Sequence, residues 1–143
     1  MEAKPRIIPI RTTYKNVFRE YLMISKPLYE AYLYQKNGRK KNRKGEPIKI
    51  TLISNEIKVL SSIIYYYFKY REEKGDGVWK YILGRDVREE IRHDLDMDQF
   101  VLNNNILALR QKNVIIDRYR LDPFFIIEPR DNDLTLTFKF IIK

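Results

Sequence analysis

The spacing of the apolar residues constrains the fold of this chain more than any other feature, because it is helical in three separate stretches. It predicts helices over residues 54–74, 85–94 and 98–113, with Ser54 and Asp98 as the caps of the first and the third. The apolar residues that set these stripes are Ile57, Leu60, Ile64 and Tyr67, then Val87, Ile91 and Leu95, then Leu102, Ile106 and Leu109.

After the third predicted helix the apolar residues follow β patterns. Short apolar runs at 114–116 and 124–127 predict two strands, and residues 130–133 predict a polar turn. Beyond the turn, apolar and polar residues alternate from Leu134 to Phe140, which is typical of a half-buried strand. We expect the apolar set to be buried, namely Leu134, Leu136, Phe138 and Phe140. Three helices followed by a β-hairpin predict an α+β fold over residues 49–143.

A different organisation is expected before this domain. Residues 1–35 predict an arm followed by a helix. We call Arg6–Ile10 the N-terminal arm and expect it to be extended, because its proline is tolerated only at an edge or unpaired position. Thr12 or Thr13 is the predicted cap of the helix, and Pro27 is expected to end or kink it, with a further helical turn or two afterwards.

Residues 36–48 predict a basic loop, since they hold six cations before the first acid and no apolar residue until after it. A short strand is expected over residues 49–53. A loop of this charge attracts phosphate whatever the base sequence, although a solvated loop or a contact with an acidic protein fits equally well. The cations that we single out as candidate nucleic-acid contacts are Arg39, Lys40, Lys41, Arg43 and Lys44.

The composition argues against a metal site and against an enzyme. The chain has no cysteine and a single histidine, so thiolate and imidazole metal clusters are not expected. It also lacks a phosphate-binding loop and a nucleophile elbow. We therefore expect no cofactor and no catalytic residue. The longest apolar stretch without a charge, Val59–Phe68, is about half of a membrane span, so no membrane partner is expected.

The segment Leu95–Ile115 resembles the helix-turn-recognition-helix segment of winged-helix regulators. Its apolar positions match that pattern throughout, while Asp96 and Asn113 stand where the family usually has glycine. The resemblance implies a winged helix-turn-helix, with a three-helix core and a C-terminal β-hairpin wing, preceded by an N-terminal arm and helix. Asn tolerates the left-handed conformation, so Asn113 can end the recognition helix as a glycine would.

The whole chain also resembles small winged-helix proteins of tailed bacteriophages, particularly the crAss-like phages of gut bacteria. The residues that carry this resemblance include Ile7–Ile10 and Lys26–Leu28. It implies a phage-encoded protein and points to the virion neck, where portal, ring and tail proteins stack. The expected partners are then further copies of the chain and other virion proteins, in a particle assembled in the cytoplasm of a bacterial host.

The charge distribution separates this protein from most DNA-binding winged helices. Residues 84–113 hold five cations against six acids and residues 114–133 hold three against five, whereas residues 1–83 carry a net charge of +10. The elements that would face phosphate are therefore acidic. In the third helix, Asn103 and Asn104 could read adenine edges, or they are solvated or interfacial residues.

Several apolar residues are predicted to face outward, where a partner protein would cover them. They are Phe100, Val101 and Leu107 on the third helix, together with Ile7, Ile8 and Ile10 in the N-terminal arm. These residues favour a protein that acts through protein contacts, and the resemblance to phage proteins implies a virion assembly protein of the neck, the head-tail connector ring. The competing expectation is a winged-helix transcriptional regulator.

Overall fold

The computed structural model describes residues 9–38, 41–46, 50–130, 134–135 and 142. These residues are mostly helical, with one small antiparallel sheet, so the predicted α+β class is confirmed. The α-helices are α1 (Val17–Ile24), α2 (Lys26–Lys36), α3 (Ser54–Lys74), α4 (Val78–Ile82), α5 (Arg85–Leu95) and α6 (Gln99–Gln111). The strands are β1 (Ile115–Ile116) and β2 (Arg120–Leu121), and short 3-10 helices cover Gly75–Gly77 and Pro123–Phe125.

Helix α3 is the centre of the fold, since α1, α4, α5 and α6 all contact it. The three predicted apolar stripes lie inward on α3, α5 and α6, although the outer members Ile57, Tyr67 and Leu95 are only half-buried. Helices α1 and α2 contribute to the same core, where the Phe18 ring stacks on the Phe68 ring at 5.6 Å. The N-terminal helices therefore pack with the rest of the described chain around one core.

The helical segment after the N-terminal arm consists of two helices, and Pro27 has a different position in it from the one predicted. Helix α1 ends at Ile24, and Pro27 lies in the first turn of α2. Proline is tolerated there because the first N–H groups of a helix have no partner within it. Pro27 thus begins a full second helix of 11 residues instead of ending the first.

The start of α3 is one residue earlier than predicted. Ile53 holds the cap position, Ser54 is the first helical residue, and the Glu56 carboxylate accepts a hydrogen bond from the Ile53 N–H at 2.9 Å. The strand predicted over 49–53 was wrong for residues 50–53, which belong to no strand. Lys49 lies outside the described residues.

A three-residue turn joins α5 to α6. Asp96 adopts a left-handed conformation with φ of 49°, and the Asp98 carboxylate accepts a hydrogen bond from the Val101 N–H at 2.8 Å, which caps α6 as predicted. Asn113, directly after α6, has φ of 60°. The expectation that Asn113 takes the left-handed conformation is confirmed, and Asp96 does the same at the other position where glycine is usual.

The described part of the tail is only partly as predicted. β1 pairs with β2, with Ile115 opposite Leu121 and Ile116 opposite Arg120. The strand predicted over 124–127 was wrong, because Pro123 starts a 3-10 turn that includes both phenylalanines. Leu134, predicted to be buried in a strand, is only half-buried against the core, and Thr135 is exposed as predicted, but neither residue belongs to a strand. Residues 131–133 and 136–140 lie outside the described part.

Candidate interaction surface

One face of α6 carries large apolar side chains that nothing in the described chain covers. Phe100 is 74% exposed and Leu107 is 50% exposed, with the partly buried Val101 beside Phe100. The inward stripe of the same helix is fully buried, so α6 is firmly packed while its outer side stays open. We call this side, formed by Phe100, Val101, Asn104 and Leu107, the α6 face. The predicted outward placement of Phe100 and Leu107 is confirmed.

The neighbouring asparagines are not equivalent. The Asn103 side-chain oxygen accepts a hydrogen bond from the Arg88 guanidinium at 2.7 Å, and Arg88 also donates to the Leu83 carbonyl at 2.7 Å. Burial, and then the charge of Arg110, lowers the pKa of Arg88 below its usual value. Asn103 is therefore occupied within the chain, whereas Asn104 is exposed.

The start of α6 has an acidic rim. Asp96 and Asp98 are both exposed, and in the described part of the chain neither forms a salt bridge. Asp94, the preceding acid in the chain, does have partners: it forms a salt bridge with Lys15 at 3.0 Å and accepts a hydrogen bond from the Tyr66 hydroxyl. Two uncompensated carboxylates thus border the apolar residues of the α6 face.

The salt bridge between Lys15 and Asp94 attaches the segment that follows the N-terminal arm to helix α5. Tyr14 supports it, since its ring packs edge-on against Phe18 and Tyr65 at 5.8 and 6.1 Å. Ile10 is 61% exposed, and Ile7 and Ile8 lie outside the described residues. Lys15, which follows the arm in the chain, is thereby held near the end of α5, at an acid two residues before Asp96 of the acidic rim.

Residues 41–46 of the basic loop form a hydrogen-bonded turn, whereas Lys36, predicted as the first residue of the loop, is the last residue of α2. The Asn42 N–H donates to the Glu46 carbonyl at 2.9 Å, and the Asn42 side-chain oxygen accepts from the N–H groups of Lys44 and Glu46. Gly45 completes the turn with φ of 78°, a conformation that favours glycine. The turn presents three exposed cations, Lys41, Arg43 and Lys44, while Arg39 and Lys40 lie outside the described residues.

A polar cluster that the sequence did not predict joins α2 to the C-terminal part of the chain. The Asp122 carboxylate accepts hydrogen bonds from the Tyr32 hydroxyl at 2.6 Å and from Lys36, which also donates to the Asn113 carbonyl at 2.7 Å. These residues are up to 90 positions apart, so no local pattern could have connected them. The bond to Asp122 and burial raise the pKa of Tyr32 to about 12.

A second apolar group was also missed by sequence reasoning. Met23, Ile24 and Leu28 are all exposed, at the break between α1 and α2. Their spacing could have been noticed only once Pro27 was understood as the start of a helix and not as the end of one. They lie on elements other than α6 and supply a matched control for substitutions on the α6 face.

The described residues contain no group of three or more histidine, aspartate or glutamate side chains placed to hold a metal ion. No helix in the described part of the chain is both long and apolar enough to cross a membrane. Comparisons with protein-family models, with curated proteins and with solved structures gave no match to this chain.

Proposed function

We propose that this chain is a winged-helix assembly protein that binds other proteins through its α6 face. The order of its elements supports a winged helix, since α3, α5 and α6 surround one core and the β1–β2 hairpin follows. Left-handed residues at Asp96 and Asn113 supply the two backbone turns for which the fold family usually uses glycine. The α6 helix then occupies the position of the recognition helix.

The exposure of Phe100 and Leu107 carries the proposal. Leaving a side chain of this kind in water instead of burying it costs roughly 1.5–3 kcal/mol. A free monomer gains nothing from that cost, whereas a protein partner that covers the α6 face removes it. An aromatic side chain among other apolar residues, with polar residues at the edge, is also the usual composition of an interface.

Electrostatics and hydrogen bonding argue against insertion of α6 into a DNA groove. The two regions that would meet phosphate, residues 84–113 and 114–133, have net charges of −1 and −2. Counterion release at phosphate supplies most of the non-specific affinity of DNA-binding proteins, and acidic elements oppose it. Asn103, one of the two candidate base-reading residues, already accepts from Arg88.

The resemblance of the whole chain to small winged-helix proteins of tailed phages suggests where the protein would act. The protein would be a component of the neck, the head-tail connector ring, in the virion. Its partners would be copies of itself and neighbouring portal, ring or tail proteins. The basic turn with Lys41, Arg43 and Lys44 would face packaged DNA, without sequence preference, or an acidic partner protein.

The substitution Phe100→Ser tests the proposal. We expect the variant to keep its thermal melting transition within a few degrees, because the buried stripe of α6 is unchanged, and to lose assembly into oligomers or particles. Met23→Ser is the matched control, since Met23 is 61% exposed on α1 and should affect neither property. Melting curves and light scattering on a sizing column measure both. Normal assembly of Phe100→Ser would reject the interface, and a collapsed melting transition would place Phe100 in the core.

A DNA-binding regulator is the second candidate, and the exposure of Gln99 and Asn104 on α6 favours it. Asn and Gln side chains can pair with adenine in the major groove. The regulator would use these residues to read bases and the basic turn to bind phosphate. Nanomolar binding to one operator that is lost with Asn104→Ala would favour the regulator over the assembly protein.

A further inference from the structure

We propose that the α6 face of one copy is covered by the N-terminal arm, Arg6–Ile10, of another copy. This inference rests on the proposed function and names the partner of its surface. It joins two apolar segments that are separate in the chain. Ile10 is 61% exposed and Phe100 is 74% exposed, so neither covers the other within one molecule.

The arm has the chemistry that the α6 face requires. It offers three isoleucines within four positions, and its proline removes one of the five backbone N–H groups that would otherwise need a partner on an apolar surface. The α6 face offers Phe100 and Leu107 as the apolar counterpart. Aliphatic side chains that pack on an exposed aromatic ring remove apolar area from water on both sides of the contact.

The charges at the edges are complementary. Arg6 and Arg11 flank the isoleucines of the arm on either side. Asp96 and Asp98 border the α6 face, and no described cation neutralises either of them. A basic peptide with an apolar centre therefore matches an apolar surface with an acidic rim. Such complementarity fixes orientation and excludes partners of the wrong charge.

The arm is long enough for this contact. Thr13 begins the turn that leads into α1, since its carbonyl accepts hydrogen bonds from the N–H groups of Asn16 and Val17. Arg6 lies seven positions before Thr13, and a stretch of that length spans at most about 25 Å. Helix α6 has 13 residues and is about 20 Å long. An arm that leaves one copy at Thr13 can therefore reach a neighbour and lie along part of its α6 face.

The contact uses different surfaces on the two molecules. Each copy therefore contributes its arm to one neighbour and its α6 face to another. Contacts of this head-to-tail kind generate closed rings when the rotation between copies closes, and open filaments when it does not. A ring is the form that a connector component requires. The contact thus pairs an apolar segment, in which the described Ile10 is exposed, with the exposed α6 face of the next copy.

Cross-linking tests the contact, and the absence of natural cysteine makes two introduced thiols specific reporters. The chain carrying Ile10→Cys and Leu107→Cys is treated with a short bis-maleimide and run on a denaturing gel. We expect a ladder of dimers and larger species. Adding Ile7→Ser and Ile8→Ser should reduce the cross-linked fraction about tenfold or more, because two buried isoleucines are lost. The control carries Met23→Cys in place of Ile10→Cys and should give no ladder.

Three results would overturn the inference: a cross-link confined to single chains, an equal ladder with Met23→Cys, or no cross-link at all. Failure of the proposed function is read from a different variant. If Phe100→Ser abolishes assembly while the arm gives no ladder, the α6 face binds a partner other than the arm. If Phe100→Ser assembles normally, the proposed function itself is rejected.

Discussion

At the scale of single residues, Asp122 does the most to connect distant parts of the described chain. Its side chain is only 7% exposed, and it accepts hydrogen bonds from Lys36, from the Tyr32 hydroxyl and from the Phe124 N–H. Burial alone would raise the pKa of Asp122, but the bonds from Lys36, Tyr32 and the Phe124 N–H outweigh it and hold the pKa below its usual value. The ionised form is therefore the form that stabilises the fold.

This cluster predicts a pH dependence of stability. A carboxyl group with a lowered pKa contributes stability above its unfolded pKa of about 3.9, and that contribution is lost as the pH falls through the folded value. We expect Asp122→Asn to lower the free energy of unfolding by about 1–3 kcal/mol at pH 7. The variant should also lose less stability than the natural chain between pH 5 and the acid limit. Urea unfolding at several pH values measures both effects, and parallel acid declines for the two proteins would contradict this account.

At the scale of elements, the helices were predictable and the short connections were not. The stripes on α3, α5 and α6 repeat at helical spacing over two or more turns, and local periodicity is enough to find such helices. Helix α4 has five residues between Gly77 and Gly84, too few for a periodic signal. The apolar run that includes Phe124 and Phe125 resembles a strand in composition, but Pro123 directs it into a 3-10 turn.

The candidate site was predictable to a similar extent. The outward position of Phe100 follows from the helical phase of α6, and the structure agrees with it. The hydrogen bond between Asn103 and Arg88 could not be predicted from helical phase, because Arg88 lies on α5 and only the packing of α5 against α6 brings the two side chains together. Sequence reasoning therefore identified the exposed face but treated two unequal asparagines as equivalent.

The contact between α5 and α6 distinguishes these asparagines experimentally. Asn103→Ala removes the acceptor of a half-buried Arg88 donor, and we expect it to cost about 1 kcal/mol of stability. Asn104→Ala changes an exposed side chain and should stay within about 0.5 kcal/mol of the natural protein. Denaturant midpoints measure the difference. Equal stability of the two variants would show that Arg88 does not depend on Asn103.

At the scale of the whole molecule, the charge is strongly uneven. Residues 1–83 carry +10, whereas residues 84–133 carry −3. An acidic half and a basic half in one chain suit an assembly in which copies contact one another through different surfaces. The basic turn, with Lys41, Arg43 and Lys44 exposed, is then the part of the described chain best placed to meet an external polyanion.

This distribution predicts weak and non-specific binding to duplex DNA. We expect no sequence-specific affinity tighter than about micromolar near physiological salt, because the elements that would contact the duplex are acidic. Any binding should weaken steeply with salt and disappear when the five candidate contacts of the basic loop become serine, namely Arg39, Lys40, Lys41, Arg43 and Lys44. Fluorescence anisotropy with several duplexes over a salt series measures this. Salt-insensitive binding to one sequence would contradict the prediction.

The most direct test of the α6 face is its accessibility before and after assembly. Leu107→Cys introduces the sole thiol of the chain at a half-exposed position of that face, where a maleimide can report on solvent access. The labelling rate should be high for the monomer, should fall at least tenfold in the assembled oligomer or particle, and should not change when duplex DNA is added to the monomer. An unchanged rate on assembly, or protection by duplex DNA instead, would contradict the claim that α6 is a packing surface.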